Sequence, residues 1–179
     1  MILGLDISSS ITGVSIVDNT GAIIYCNHID TRNKNKFPTL LDKGRYLKEQ
    51  LQKIKELYSI EEIYIEESLQ TFRSGFSSAK TLSTLAKING IVSYLCLEVF
   101  DLHPTHIGAT SARKLCGIKV PRGTKAKQFV MDFLLDSDPT FVVESTRNGN
   151  PKPGFYDRAD SLIIARAGLE LCKQKKSKS

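Results

Sequence analysis

The opening stretch, Met1-Ile-Leu-Gly-Leu-Asp6-Ile-Ser-Ser-Ser-Ile-Thr-Gly13, constrains this chain more than any other. Residues 2–7 carry apolar side chains on both faces of an extended segment, as a strand inside a sheet does, and Asp6 is the single ionisable group among them. A lone carboxylate withdrawn from water costs several kcal/mol unless a cation or a hydrogen-bonding partner meets it. The rest of the chain must supply that partner.

A length of 179 residues is enough for one domain with a core of its own, so residues 1–179 are expected to form a single domain with a Lys-rich tail from about residue 173. With 41% hydrophobic and 25% charged residues the composition is that of a globular protein. No apolar run of bilayer length and no targeting segment is read, which predicts a cytoplasmic protein with no membrane partner. Cys26, Cys96, Cys116 and Cys172 are scattered without a C-x-x-C pair, and reduced structural thiols are expected. Lys and Arg number 25 against 19 Asp and Glu, a net +6, and the pI is near 9.1; both suit a polyanionic partner.

Residues 2–7, 14–17 and 22–29 read as an antiparallel meander, with a polar turn over residues 8–13. Leu40, Leu41, Gly44, Leu47, Leu51, Ile54 and Leu57 recur at helical spacing. Residues 60–66 read as a strand ending on Glu66-Glu67, followed by a polar loop over 68–78 with Phe72 and Phe76, a helix over 79–97 and a fifth strand over 99–102. Residues 112–128 are the most basic part of the body, with short helices around Gly117 and Pro121-Arg-Gly123, the second over 125–135. Residues 137–155, with three prolines and two glycines, read as a loop. The final helix, from about residue 156, has the apolar stripe Ile163, Ile164, Ala167, Gly168 and Leu171. Asp160 continues that stripe, Asp157 lies a turn earlier, and Arg158, Arg166, Glu170 and Lys173 are expected to face solvent.

This order is that of an α/β fold, a mixed five-stranded sheet flanked by helices, and it gathers Asp6, Glu66, Asp157 and Asp160 at one sheet edge. Carboxylates so placed repel one another, and hard divalent cations such as Mg²⁺ or Mn²⁺, which prefer oxygen ligands, relieve the repulsion. Two such ions about 4 Å apart can activate a water and stabilise the leaving oxygen in phosphodiester cleavage. The bland alternatives are a helix dipole favouring Asp157 and Asp160 and backbone donors satisfying Asp6. The basic residues Arg113, Lys114, Lys119, Arg122, Lys125 and Lys127 are either a solvated face or phosphate contacts, Phe72 and Phe76 either cap the core or stack on unpaired bases, and Arg73 is a further DNA-binding candidate. His103 and His106 have a ligand-like spacing but read as packing residues. The Asp6 to Gly13 turn also suits a phosphate loop of the actin-like ATPase or sugar-kinase type, and a DNA-binding scaffold without catalysis is a third possibility.

Four segments, Ile2-Leu-Gly-Leu-Asp6-Ile-Ser with Thr12-Gly13, Ile63-Tyr-Ile-Glu66-Glu, Leu85-Ala-Lys-Ile-Asn-Gly90-Ile and Tyr156-Asp-Arg-Ala-Asp160-Ser-Leu, together resemble the RuvC family of Holliday junction resolvases, in the RNase H-like superfamily. The similarity spans nearly the whole chain and looks more like a phage-encoded member than a cellular one. It implies an RNase H-like fold, a homodimer, and paired symmetric nicks in four-way DNA junctions with Mg²⁺ or Mn²⁺. By position it implies Asp6, Glu66, Asp157 and Asp160 as catalytic metal ligands, and a helix-start lysine that is either Lys125 or Lys127. The chain departs from the family at Leu69, where a junction-contacting aromatic is expected and Phe72 stands three residues further on, and in its longer 137–154 segment, so forks or flaps are also possible substrates.

Overall fold

The computed structural model describes residues 1–67 and 79–177. One sheet contains β1 (Ile2–Ile7), β2 (Ile11–Val17), β3 (Ile23–Asp30), β4 (Glu62–Glu66) and β5 (Thr105–Ile107), in the order β3-β2-β1-β4-β5. The β1–β2 and β2–β3 pairs are antiparallel, and β1–β4 and β4–β5 are parallel. The helices are α1 (Leu40–Leu57), α2 (Ala79–Phe100), α3 (Ala109–Leu115), α4 (Ala126–Ser137) and α5 (Phe155–Lys176). The expected mixed five-stranded sheet is present, with helices on both faces.

Alternation along the strands sorts the core into two halves. Leu3, Leu5, Val14, Ile16, Ile63 and Ile65 pack toward Leu47, Leu51, Ile88 and Val92 of α1 and α2. Ile2, Val17 and Tyr64 pack toward Leu162, Ile163 and Ala165 of α5, with Ala112, Val130 and Leu134 of α3 and α4 beyond. Alternate residues share a face, so Gly4 and Asp6 lie on the α5 side with Ile2, and Glu66 with Tyr64. Helix α1 begins with a capping box, in which the Thr39 side chain accepts from the Asp42 amide and the Asp42 carboxylate accepts from the Thr39 amide.

Helix α5 lies unusually close to the sheet because glycines make room for it. A Cβ on Gly4 would fall 2.4 Å from the Ser161 carbonyl oxygen, and one on Gly13 would fall 1.9 Å from that of Asp157. On the helix itself, Gly168 makes room for the Tyr64 ring, which a Cβ would meet at 2.2 Å. A buried Ser15–Ser161 hydroxyl pair at 2.7 Å ties the two layers together.

The structure corrects several expectations. Strand β2 starts at Ile11 because the turn is shorter than its serine run suggests: Ser8 Oγ accepts from the amides of Ser10 and Ile11 and donates to the Ile11 carbonyl. Residues 99–100 end α2 instead of forming a strand. Val99 continues the buried stripe of Val92, Leu95 and Cys96, and the left-handed Asp101 (φ 58°) stops the helix before β5 at Thr105. Helix α5 has no broad solvent face in its first half. Arg158 is half-buried with its guanidinium 4.8 Å from the Phe155 ring centre, and Arg166 pairs with Asp138 and donates to the Gly21 carbonyl. The 137–154 loop folds back on itself, with a Ser145–Pro151 bridge and a Glu144–Lys152 ion pair.

The expectation that no apolar run approaches bilayer length also needs amending, because α2 is long and apolar enough by composition, with a mean hydropathy of 1.2. Its buried residues pack against the sheet like those of a core helix. None of the four cysteines is in a disulfide; Cys96 is buried, which pushes its thiol up to about 12.

Gly13→Ala would force α5 away from β2 and should cost about 3 kcal/mol, the upper range for overpacking, lowering Tm by roughly 6–12 °C in thermal unfolding.

Candidate metal centre

Sheet register and helix placement bring three carboxylates together. Parallel pairing of Leu5 with Ile65 sets Asp6 and Glu66 one step further on, at the C-terminal ends of neighbouring strands and on the α5 side. Asp160 reaches them from the second turn of α5. Asp6, Glu66 and Asp160 each offer a carboxylate oxygen, and these oxygens lie within 4.8 Å of one another. The set contains only hard oxygen donors, from three separate elements, and it fits Mg²⁺ or Mn²⁺ far better than a thiolate- or imidazole-seeking metal.

Electrostatics show what the arrangement costs. Burial, then the charges of Glu66 and Asp160, push the Asp6 carboxyl well above its usual range, and only 8% of the residue is exposed. Burial and the Asp160 charge raise Glu66 to about 7. Burial also raises Asp160, although Lys127 and Arg113 work against it. Lys127 Nζ stands 3.3 Å from Asp160 Oδ2. Partial dehydration pulls this ammonium down, but Asp160, Asp6 and Asp157 more than offset it, and the net shift is upward. The site therefore has one ammonium among more carboxylates than it can neutralise, an imbalance that a divalent cation would correct.

The remaining sequence candidates separate clearly. Asp157 lies outside the group of three, but its charge raises Asp6, Glu66 and Asp160. Glu66, and not its exposed neighbour Glu67, belongs to the group. Of the two lysines, Lys127 reaches the carboxylates, while Lys125 is the exposed N-cap of α4. Arg113 is half-buried close enough for its charge to lower Glu66 and Asp160, and its Nε donates to the Ala109 carbonyl. Lys114, Lys119 and Arg122 are exposed on the α3–α4 segment. Phe72, Arg73 and Phe76 lie outside the described residues.

One residue escaped sequence reasoning. Asn89 is buried in α2, and its Nδ2 donates to the Glu66 carbonyl at 3.2 Å, holding the end of β4. Its Oδ1 lies 3.1 Å from His106 Nε2, which also lies 3.1 Å from Ser93 Oγ; Ser93 in turn donates to the Asn89 carbonyl. An amide oxygen only accepts, so His106 must carry its proton on Nε2. His106 is thus an exposed residue hydrogen-bonded to α2, not the packing residue its sequence context suggests. A polar residue interrupting the buried stripe Ile88, Val92, Leu95 was the available signal for Asn89.

The turn after β1 is poorly suited to cradling a nucleotide phosphate. Ser8 Oγ already takes the amides of Ser10 and Ile11, and the Asp157 carbonyl covers Gly13.

No family model matches the chain, and no curated protein matches it by sequence. Solved structures do match. RuvC of T. thermophilus in complex with a Holliday junction substrate superposes with a TM-score of 0.65 at 13% identity, over 97% of this chain and 94% of that one. A further Thermus thermophilus RuvC structure gives 0.62 at 16%, over 97% and 96%. The yeast mitochondrial Holliday junction resolvase Ydc2 gives 0.62 at 16%, over 98% and 80%. The chain therefore has the RNase H-like fold of these resolvases, as its sequence motifs suggest.

The raised carboxyls fix the sign of a pH effect. A carboxyl whose folded pKa lies above its unfolded value holds its proton more tightly when folded, so stability falls as pH rises between the two values. For Glu66 that window runs from 4.5 to about 7, and Asp6 acts in the same direction. Metal-free protein should lose up to about 3 kcal/mol between about pH 5 and pH 8, and added Mn²⁺ should restore Tm mainly at the upper end. Asp6→Asn should raise the metal-free Tm at about pH 8 and abolish the Mn²⁺ response. Asn89→Ala, which frees the end of β4, should weaken Mn²⁺ affinity about tenfold in calorimetric titration, in the range seen for residues that hold metal ligands in place.

Proposed function

We propose that this chain is a divalent-metal-dependent endonuclease that resolves four-way DNA junctions by paired symmetric nicks, and that cuts other branched DNA such as forks or flaps less readily. The observation that carries this reading is the convergence of Asp6, Glu66 and Asp160 within 4.8 Å, in a fold shared with Holliday junction resolvases. Two Mg²⁺ or Mn²⁺ ions, when bound, supply positive charge at the scissile phosphate and lower the pKa of an attacking water. Asp6, Glu66 and Asp160 hold the metal, and Asp157 completes the acidic set from one turn earlier on α5. Lys127 favours the ionised form of Asp160 and offers an ammonium to the phosphate.

Arg113, Lys114, Lys119, Arg122 and Lys125 neutralise backbone phosphates alongside, and Phe72 with Arg73 meets the branch point. The active form is a homodimer, since two nicks of matching polarity call for two sites related by a two-fold axis. The exposed side of α2, where Ala86, Gly90 and Tyr94 succeed one another at helical spacing and Tyr94 is 62% exposed, is an apolar face suited to such a contact. The whole of residues 1–179 acts as one catalytic domain in the cytosol, or in that of a host cell if the gene is phage-borne.

Purified protein should cut a synthetic four-way junction into nicked duplexes in Mg²⁺ or Mn²⁺, but not in EDTA. Asp6→Asn and Asp160→Asn should each lower the single-turnover rate by at least about a thousandfold while leaving junction binding intact. Intact junctions with active wild-type dimer, or undiminished cutting by Asp6→Asn, would reject this reading.

A further inference from the structure

Strands β1, β3, β4 and β5 all run in one direction, because β3 and β1 are both antiparallel to β2, while β4 and β5 are parallel to β1. Their C-terminal ends thus lie at the same end of the sheet as the carboxylates. In the order β3-β2-β1-β4-β5, the chain leaves β3 and β5 at opposite edges, with Asp6 and Glu66 between them. The β5 exit leads to the α3–α4 basic segment. The β3 exit leads to Thr31-Arg-Asn-Lys-Asn-Lys36, which carries three cations and no acid.

This second segment is shaped and anchored. The Thr31 amide and hydroxyl both donate to the Ser10 carbonyl, which ties the segment to the turn that follows Asp6 and Ile7, and Lys43 Nζ of α1 donates to the Ser9 carbonyl of the same turn. Asn33 Oδ1 accepts from the amides of Asn35 and Lys36, closing a compact turn. Asp30 grips Arg32 through both carboxylate oxygens, at 3.0 and 2.6 Å. Arg32 remains 48% exposed, and it is close enough to Asp157 for that charge to act on it. Lys36 lies over the Phe37 and Tyr46 rings, 5.2 and 4.8 Å from their centres. Asp30, Arg32, Asn33, Lys36 and Phe37 line an open hollow of about 540 Å³.

We infer that residues 32–36 form a second phosphate-binding bank for DNA, across the carboxylates from the α3–α4 bank. Four strand spacings separate the two sheet edges, about 19 Å. That exceeds the roughly 12 Å width of a B-DNA major groove, so the two banks address separate runs of phosphates rather than one. Asp30 pre-orients Arg32, Asn33 fixes the turn that presents Lys34 and Lys36, and the carboxylates are left for metal and the scissile phosphate. Two opposed banks with a metal site between them would hold two arms of a branched substrate at once.

The inference rests on the proposed nuclease reading, and the test separates the two. Lys34→Glu/Lys36→Glu is compared with Lys53→Glu/Lys173→Glu, which changes net charge equally at exposed positions remote from the carboxylates. Single-turnover cleavage of a four-way junction in Mg²⁺, with enzyme titrated at several salt concentrations, gives an apparent Kd and a saturated rate. The bank predicts that the first pair raises Kd about tenfold or more, flattens the log Kd against log salt slope by about 1.8, and leaves the saturated rate unchanged. The remote pair should shift Kd much less. Equal effects of the two pairs, an unchanged Kd for Lys34→Glu/Lys36→Glu, or a loss confined to the saturated rate would overturn the inference while leaving the nuclease reading in place. If wild-type protein cuts no branched DNA, the nuclease reading itself falls.

Discussion

The close seating of α5 on the sheet is the contact on which the rest depends. Gly4 and Gly13 remove the side chains that would hold the helix off, and the buried Ser15–Ser161 pair gives the approach a fixed register. Helix α5 then runs across β1 and β2 with its N-terminal turns at the strand ends, which is where Asp160 meets Asp6 and Glu66. A helix standing off by one ordinary side-chain layer would leave Asp160 too far away to join them. Packing density in this core is therefore also active-site geometry.

The same contact makes the centre expensive. The carboxylates lie together with Asp6 buried and Glu66 and Asp160 half-buried, and all three have raised pKa values because burial opposes their ionised forms. Lys127 offsets part of that cost from the rim, and Arg113 acts on Glu66 and Asp160 from α3. A site that is under-neutralised when empty favours binding of a divalent cation, because the ion relieves a repulsion already built into the fold. Stability and proposed activity thus pull against each other at Asp6: its charge burdens the metal-free protein and is the reason a metal would bind.

Charge outside the pocket is arranged by topology. Because the strands that exit at the carboxylate end include both flanks of the sheet, the loops after β3 and β5 come to lie on either side of the acids. The basic surface after β5 is conspicuous in the sequence. The one after β3 is shorter, and its proximity to the centre follows only from the strand order and from the Thr31 bonds to the Ser10 carbonyl.

Much of this was legible in the residues themselves. A carboxylate inside an apolar strand marked Asp6, a strand-end acid marked Glu66, and an acid continuing an apolar helical stripe marked Asp160. Each is a local breach of hydrophobic patterning, and such a breach can be seen without a fold. The four motifs in order also indicated the resolvase-like architecture that the superpositions bear out. What local pattern did not resolve were choices that depend on distance between remote segments. Lys127 rather than Lys125 reaches Asp160, Glu66 rather than Glu67 turns inward, and Asp157 stands beside the close group of three. The fifth strand was misplaced because Val99 and Phe100 suit a strand as well as the end of a buried helix. Asn89 shows in the sequence only as a polar break in a buried helical stripe, and nothing there identifies its partner, a backbone carbonyl. The sequence by itself determined which residues would be costly to bury. Only the tertiary structure decided which of them share that cost, because the energy of a buried charge depends on neighbours within a few ångströms, brought there from far along the chain.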